Sequence, residues 1–410
     1  MAAARHGEGE VLLKRITRHN YYWLVIAGAA LLIVIAMLFY QLNTNNTAPA
    51  ARRLNDALWA DYLSREWQPQ TGRTISSAQG SITTSEAQAY TMLRAVWEND
   101  PQVFARTWQW TEANIQNHSN HLFAWEWGKQ GNSYGVLTGN GGQNTASDAD
   151  CDIAFALLMA GQRWHNNTYL SAAKQIIPAI WQQEVVPIAN RWYLAADNLE
   201  KTAQTPYIIV NPSYFSPYEY RAFARVDRVH PWNSLASDVY TELTQIDQAK
   251  LGSGASDRLP PAWVSVNRYT GQIGPSPNLS QGTNFGFNAF RAVWRIALDW
   301  QWNKSPRARQ ALSGFSALDT FWKQSGSLRA SYSHSGQAAV NYSSLALYGG
   351  TLGYFQYNNP SVAREIILSK LYGPLYDVKT GGLARPVDYY DNNWVWFGLA
   401  LYDGQLTNWT

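Results

Sequence analysis

The chain is poor in cysteine, in charge and in strand-like patterning. A single cysteine, Cys151, among 410 residues excludes an internal disulfide framework and a cysteine-based zinc site. Charged residues make up only 15%, whereas a disordered chain needs high charge and few aromatics. Neither sign dominates: 32 Lys and Arg stand against 29 Asp and Glu, a net +3. No broad basic footprint exists, so no nucleic-acid partner is expected. The 7 histidines fall into no H-E-x-x-H spacing, and Asp148, Asp150 and Asp152 lack the glycine and distal glutamate of an EF-hand loop. Neither a metal nor another cofactor is expected. No internal repeat or low-complexity tract is visible.

What the chain has in excess is aromatic, with 20 Trp and 24 Tyr. At 46% hydrophobic residues its length suits one large domain or two modest ones. A Trp-rich surface of low charge fits a neutral ligand with many hydroxyls, and the same rings equally fit a core.

The first residues stand apart. Tyr22 to Tyr40 carry no charge, and about twenty apolar residues in a helix span a bilayer. Arg5, Lys14, Arg15 and Arg18 precede them against only Glu8 and Glu10, so +2 of the net +3 sits before the apolar run. The positive-inside rule then keeps that end cytoplasmic and exports the rest. A cleaved signal peptide is the rival, with Ala48-Pro49-Ala50 as its site, but the apolar run exceeds the usual h-region and that site lies well beyond it. The expected organisation is a cytoplasmic tail (1–21), a single-pass anchor in the cytoplasmic membrane (22–40), a polar linker (41–52) and one extracytoplasmic domain (53–410).

From Arg53 onward apolar residues recur at helical spacing, broken by Gly, Pro, Asn and Ser. The pattern predicts twelve helices: 53–64, 85–97, 101–116, 148–163, 166–183, 213–225, 231–248, 287–302, 305–324, 338–354, 360–372 and 388–403. Alternation is scarce, with Arg191 to Leu194 as one short hairpin arm. Three long loops, 117–146, 187–212 and 250–284, have the length of functional loops.

Two segments concentrate carboxylates. In Thr83-Thr84-Ser85-Glu86 the spacing reads as a capping box, a helix start and nothing more. In Ser147-Asp148-Ala149-Asp150-Cys151-Asp152, three acids in five residues exceed what capping requires. Like charges this close raise one another's pKa, which is one way a carboxyl is kept protonated for acid catalysis.

The segment Ala146-Ser147-Asp148-Ala149-Asp150-x-x-Ile153-Ala154-x-Ala156-Leu157-Leu158-x-Ala160-x-x-x-Trp164 resembles the signature of the family 8 glycoside hydrolases. Thr84-Ser85-Glu86-Ala87-Gln88-Ala89-Tyr90 is similar to that family's catalytic-acid segment, with Ala87 where Gly is usual. Ala124-Trp125-Glu126-Trp127-Gly128-Lys129 and Asn211-Pro212-Ser213-Tyr214 are similar to further blocks, in the family's order. The resemblance covers roughly 53–403. It implies an all-α fold, an (α/α)6 barrel of six helical hairpins in two rings with an open cleft, following the N-terminal transmembrane helix. It implies endo-acting, inverting hydrolysis of a β-1,4-linked polysaccharide. Cellulose or a cellulose-like exopolysaccharide comes first, because an anchor at the export face suits a polymer made there, with exopolysaccharide synthesis or export machinery as a partner. An amino-sugar polymer such as chitosan is the alternative.

By their places in these blocks, Glu86 would be the general acid, Asp148 would position the sugar at the cleavage point, and Asp150 would support substrate binding with Trp125, Trp127, Tyr214 and Arg291. Tyr134, Trp192 and Trp232 lie in or beside the loops as further candidates. An inverting pair stands roughly 6.5–9.5 Å apart to admit a water. The family's usual base is the Asp of a Tyr-Asp-Ala-x-Arg block, and here the run is Phe287-Asn288-Ala289-Phe290-Arg291. An amide cannot take water's proton. Between Asp257 and Asp299 there is no acidic residue, which leaves Asp257, Asp388 and Asp391 as distant substitutes. The choices are an enzyme with a relocated base, a variant with its base removed, or a glycan-binding scaffold that does not hydrolyse.

Overall fold

The computed structural model describes residues 47–76, 80–277 and 282–410, with Ile26 and Leu31. The chain divides into two units, Met1–Ala50 and the compact Ala51–Thr410, and the second holds the elements that follow.

Its helices begin with α1 (51–65). There follow α2 (Ser85–Glu98), α3 (Pro101–Asn114), α4 (Ser147–Arg163), α5 (Asn167–Glu184) and the short α6 (Asn198–Thr202). Next come α7 (Pro217–Val226), α8 (Trp232–Gln248), α9 (Arg291–Asn303), α10 (Pro306–Gly314) and α11 (Ala317–Ser325). The last are α12 (Leu345–Asn358), α13 (Pro360–Glu365), which runs on in π geometry through Ile366–Tyr372, α14 (Gly373–Leu375) and α15 (Tyr389–Tyr402).

Six of these form an inner ring. Contacts run from α2 to α4, α4 to α7, α7 to α9, α9 to α12 and α12 to α15. Tyr90 of α2 then meets Trp394 and Phe397 of α15 edge-on, while Arg94 bonds Asn392 and Asn393. That closes the circle. The outer helices α3, α5, α8, α10 and α13 back α2, α4, α7, α9 and α12; α1 backs α15, where Asn392 donates to Leu58 O and Asp61. The sequence explains the layering, because α12 and α15 are apolar on all sides, as a helix enclosed by protein must be. At Gly349 an added Cβ would stand 2.1 Å from Trp394 O, and at Gly398 one would stand 2.2 Å from Gly349 O. These two glycines let α12 and α15 touch backbone to backbone.

The expected helices are found in place, with four adjustments. The 213–225 helix starts only at Pro217, after a separate turn at Pro212–Tyr214. The 305–324 helix breaks at Phe315 and Ser316 into α10 and α11. The 338–354 helix starts only at Leu345, where Ser344 caps the free amide of Leu347. The 287–302 helix starts at Arg291, leaving 287–290 as a turn. Ten short antiparallel strands among the described residues were largely unforeseen; Arg191–Leu194 was expected and pairs with Val185–Ile188. The strands that matter below are β1 (Thr83–Thr84), β2 (Glu126–Gln130) and β3 (Ser133–Val136), one antiparallel sheet that sets Thr84 opposite Glu126.

The expected membrane anchor is corrected. Among the described residues no helix is long and apolar enough to cross a membrane. The long helices are amphipathic, as in α5, where Lys174, Gln175, Gln182 and Gln183 interrupt the apolar stripe. Segment 22–40 itself lies outside the described residues, apart from Ile26 and Leu31. The transmembrane helix ahead of the barrel, the single-pass topology, the extracytoplasmic placement and the partnership with export machinery therefore have no support and are not carried further.

Filling a backbone contact with a methyl group should cost about 1–3 kcal/mol, the range for overpacked cores. Gly398→Ala is expected to lower the midpoint of urea unfolding accordingly, and an unchanged midpoint would show that α12 and α15 are not held this close.

Candidate active site

The site is built at the N-terminal ends of inner helices. At α2, Thr84 is the N-cap and accepts from Ala87 N at 3.1 Å. The capping-box reading of Thr83 and Glu86 is thereby corrected: Thr83 Oγ1 accepts from Arg73 and donates to Thr74 O, and Glu86 turns inward. At α4 the N-cap is Ala146, with no side-chain cap; Asp148 gives one oxygen to the first-turn amide of Ala149 and keeps the other for Arg291.

On α4 the three aspartates diverge because a helix advances about 100° per residue. Asp148 and Asp152, four apart, share a face; Asp150 points away. The shared face meets α9, whose Arg291 and Arg295 are also four apart. Arg291 Nη1 donates to Asp148 Oδ2 at 3.0 Å and to Glu86 Oε2 at 2.7 Å. Arg295 grips Asp152 with two bonds of 2.9 and 2.8 Å. Both arginines are buried, at 2% and 1% exposure.

Arg291 is the hub. Its Nε donates to Ser213 Oγ at 3.1 Å, its Nη1 also to Tyr90 OH at 3.2 Å, and its guanidinium lies 5.2 Å from the Tyr214 ring centre. Glu86 Oε1 accepts from Tyr389 OH at 3.3 Å. Burial raises the Glu86 pKa, Arg291 opposes the rise and Asp148 adds to it. Asp148 is raised by the same desolvation, opposed by Arg291 and Arg295.

These residues open on a cavity of about 700 Å³, lined among others by Glu86, Trp125, Asp148, Tyr214, Asn288 and Arg291. A second cavity of about 600 Å³ shares Trp125, Ala146 and Tyr214 with it and extends to Trp263, so the two read as one elongated cleft. All three long loops contribute, through Trp125, Tyr207 and Trp263 for example.

Other expected residues lie elsewhere. Asp150 does not line the cleft: it is fully buried, accepts from Phe123 N at 3.0 Å, and hydrogen-bonds Glu184. Trp127 does not line it either. It stacks on the exposed Tyr134 at 5.4 Å, beneath Arg73 at 4.4 Å. Trp232 is core, and Trp192 packs on Trp181. Of the distant acids, Asp257 caps Leu259 N and Asp391 binds Ser344 and Ala346 N, both away from the cleft. Asp388 does line it, as do Glu126, Tyr389 and Tyr390. Sequence reading missed Glu126 and Tyr389 as site residues, although both fall inside segments it had singled out.

With this geometry in hand, the comparisons are decisive for class. The chain matches glycosyl hydrolases family 8 over residues 32–399 and belongs to that family, which places it among the O-glycosyl hydrolases. It is 32% identical to an endoglucanase of Cellulomonas uda over 220 residues, 53% of this chain and 57% of that one. It is 29% identical to an endoglucanase of Escherichia coli (strain K12) over 270 residues, 65% and 67% of the two. The match thus spans little more than half the length of the first of these relatives. The fold is similar to that of a beta-1,3-1,4-glucanase from Paenibacillus sp. X4, with a TM-score of 0.73 at 23% identity over 88% of this chain and 94% of that one. It is also similar to the endoglucanase Cel10 of Klebsiella pneumoniae, with 0.66 at 25% identity over 85% and 99%.

Two outcomes test the buried polar layer. Removing one partner of a buried ion pair costs about 3–5 kcal/mol, so Arg295→Met is expected to lower unfolding free energy in urea by that order. The Asp150–Glu184 pair sets a pH dependence. Burial lifts Glu184 from 4.5 to about 8, so between those values the folded chain holds a proton that the unfolded chain has lost. Stability then falls as pH rises through this window. The double variant Asp150→Asn, Glu184→Gln is expected to flatten that slope of thermal midpoint against pH, and an unaltered slope would refute the shared proton.

Proposed function

We propose that this protein is an endo-acting, inverting glycoside hydrolase of a β-1,4-linked glucan such as cellulose, with Glu86 as the general acid. The observation that carries the reading is the convergence of Glu86, Asp148 and Tyr214 on Arg291 at the wall of an open, elongated cleft. An open cleft admits a polymer along its length, which suits internal cleavage. The endoglucanase relatives support the substrate class, and the Paenibacillus glucanase resembles the fold alone.

The chemistry follows from the environment of each group. Cleavage needs a carboxyl that still holds its proton near neutral pH and can give it to the departing glycosidic oxygen. Desolvation keeps Glu86 above the usual carboxyl range, while a quarter of its side chain, 24%, stays open. Arg291 limits that rise and fixes the direction of the carboxyl. Asp148, clamped by Arg291 and by Ala149 N at 2.9 Å, is an acceptor for sugar hydroxyls at the cleavage point. Hydrogen bonds there that tighten as the ring flattens bind the transition state better than the substrate, which is what raises rate. Trp125 and Tyr214 supply aromatic surface for the C–H faces of the sugars, and Trp263 continues it.

A second reading, a glycan-binding protein that does not hydrolyse, rests on Asn288, which faces the cleft and cannot act as a base. The full chain incubated with β-1,4-glucan, mixed-linkage glucan and chitosan decides between them by release of reducing ends. Hydrolysis of the glucans is expected, and binding without release would sink the enzyme reading. Glu86→Gln is expected to lower kcat by about 10²–10⁴-fold, the usual contribution of a general acid. Because burial raises the Glu86 pKa, activity should persist above the ordinary carboxyl range and fall once Glu86 ionises. That alkaline limb should vanish in the variant; wild-type rates there would refute the assignment.

A further inference from the structure

Resting on the hydrolase reading above, the geometry points to Asp388, at the start of α15, as the carboxylate that takes the proton from the attacking water. Around Glu86 the cleft wall carries Glu126, Asp148 and Asp388 besides the acid itself, and an inverting displacement needs one carboxylate facing the acid with a water between. Asp197 and Glu200 line only the second cavity and accept from Leu199 N and Ile209 N.

Asp148 does not meet that need. Its Oδ2 and Glu86 Oε2 sit on the same Arg291 nitrogen at 3.0 and 2.7 Å, closer together than the roughly 6.5–9.5 Å that leaves room for a water. Its other oxygen accepts from Ala149 N. Glu126 stands on the acid's own wall, since β2 pairs with β1 and sets Glu126 opposite Thr84, two residues before Glu86.

Asp388 belongs to the other wall. Two residues on, Tyr390 donates its hydroxyl to Phe287 O and packs on the Phe287 and Phe290 rings. This binds the start of α15 to the turn that carries Asn288. The next residue, Tyr389, reaches Glu86 with its hydroxyl, so the same turn of chain spans from the Asn288 side to the acid. Asp388 is exposed to the cleft. One oxygen accepts from Asp391 N at 2.9 Å, and the other has no protein partner among the described residues. That free oxygen is the acceptor. In the step, the water oxygen forms a bond to the anomeric carbon as its proton passes to Asp388. The bond from that carbon to the glycosidic oxygen breaks, and the proton of Glu86 passes to the leaving oxygen. The amide of Asn288, beside the same space, can orient the water by hydrogen bonding without taking its proton.

The test is Asp388→Asn in the full chain, because an asparagine oxygen can still accept from Asp391 N and keep the helix cap. We expect kcat on β-1,4-glucan to fall about 10²–10⁴-fold, with glucan binding and the urea midpoint unchanged. Azide attacks without giving up a proton, so it should restore cleavage in the variant and yield the α-glycosyl azide. Wild-type kcat in Asp388→Asn overturns the inference while leaving the hydrolase reading intact. So does azide rescue seen with Glu126→Gln and absent with Asp388→Asn. A β-configured first product from the wild-type protein, read by NMR, overturns it in favour of attack by Asp148. Failure of the wild-type protein to cleave any glucan overturns both readings at once.

Discussion

The structure hangs on one ladder of charge through its centre. Asp148 and Asp152 on α4 face Arg291 and Arg295 on α9, each pair four residues apart, so two turns of one helix are matched to two turns of another. Neither arginine stops at one partner. Arg291 gathers Glu86, Tyr90 and Ser213 from α2 and the turn before α7. Arg295 gathers Ser216, Tyr218 and Glu219 from the start of α7. Four of the six inner helices are thereby referred to two guanidinium groups. Buried ion pairs are weak as net stabilisers, because desolvation offsets their attraction. Their geometric demand is strict, however, and it is position that a reacting carboxyl needs.

The same layer shows how a barrel axis this rich in acids stays folded. Two carboxylates, Asp148 and Asp152, are matched by the two arginines. Two others are held by protons instead. Glu219, pushed well above the ordinary range by burial and by Asp152, hydrogen-bonds Asp152 as the protonated partner. Asp150 does the same toward Glu184, which also accepts from Thr145. Cys151, between these groups, is driven well above a reactive thiol's range by burial and the surrounding acids, so it is inert packing. The acids behind the cleft wall are thus neutral supports, and those on it keep an oxygen for substrate, water or proton.

Much of this was legible from sequence, for reasons that can be named. Apolar spacing located most helices because each buries a stripe, while α12 and α15 stand out as nearly continuous apolar runs. Glu86, Asp148, Tyr214, Trp125 and Arg291 could be proposed for one site because they fall in ordered blocks, and the structure lines one cleft with all of them. Asp150 was misplaced because adjacency in a motif says nothing about the half-turn that separates it from Asp148. Trp127 is instead taken up by its own hairpin, stacked on Tyr134 beneath Arg73, a pairing that its place in a motif does not show. The anchor rested on an apolar run and the basic residues before it, one-dimensional signals that no described helix supports. Strands were overlooked because two to five residues are too few to show a period.

The turn at 287–290 sets an uncharged side chain near an acidic one. Helix α9 could have begun at Phe287, and instead its first turn opens so that Phe287 and Asn288 lie exposed at the cleft while Ala289 and Phe290 are buried. Phe290 is fixed there because Gly350 of α12 leaves room for its ring, where a Cβ would stand only 2.0 Å from it. Tyr390 then closes over Phe290 and Phe287, and this contact draws the start of α15 against the turn. A residue at 288 without a charge is therefore not an isolated loss, because the packing that presents it also brings Asp388 to the same wall. The aromatic excess that first suggested a sugar ligand has a second use here, as the apolar bracket that sets one acidic side chain beside another's empty place.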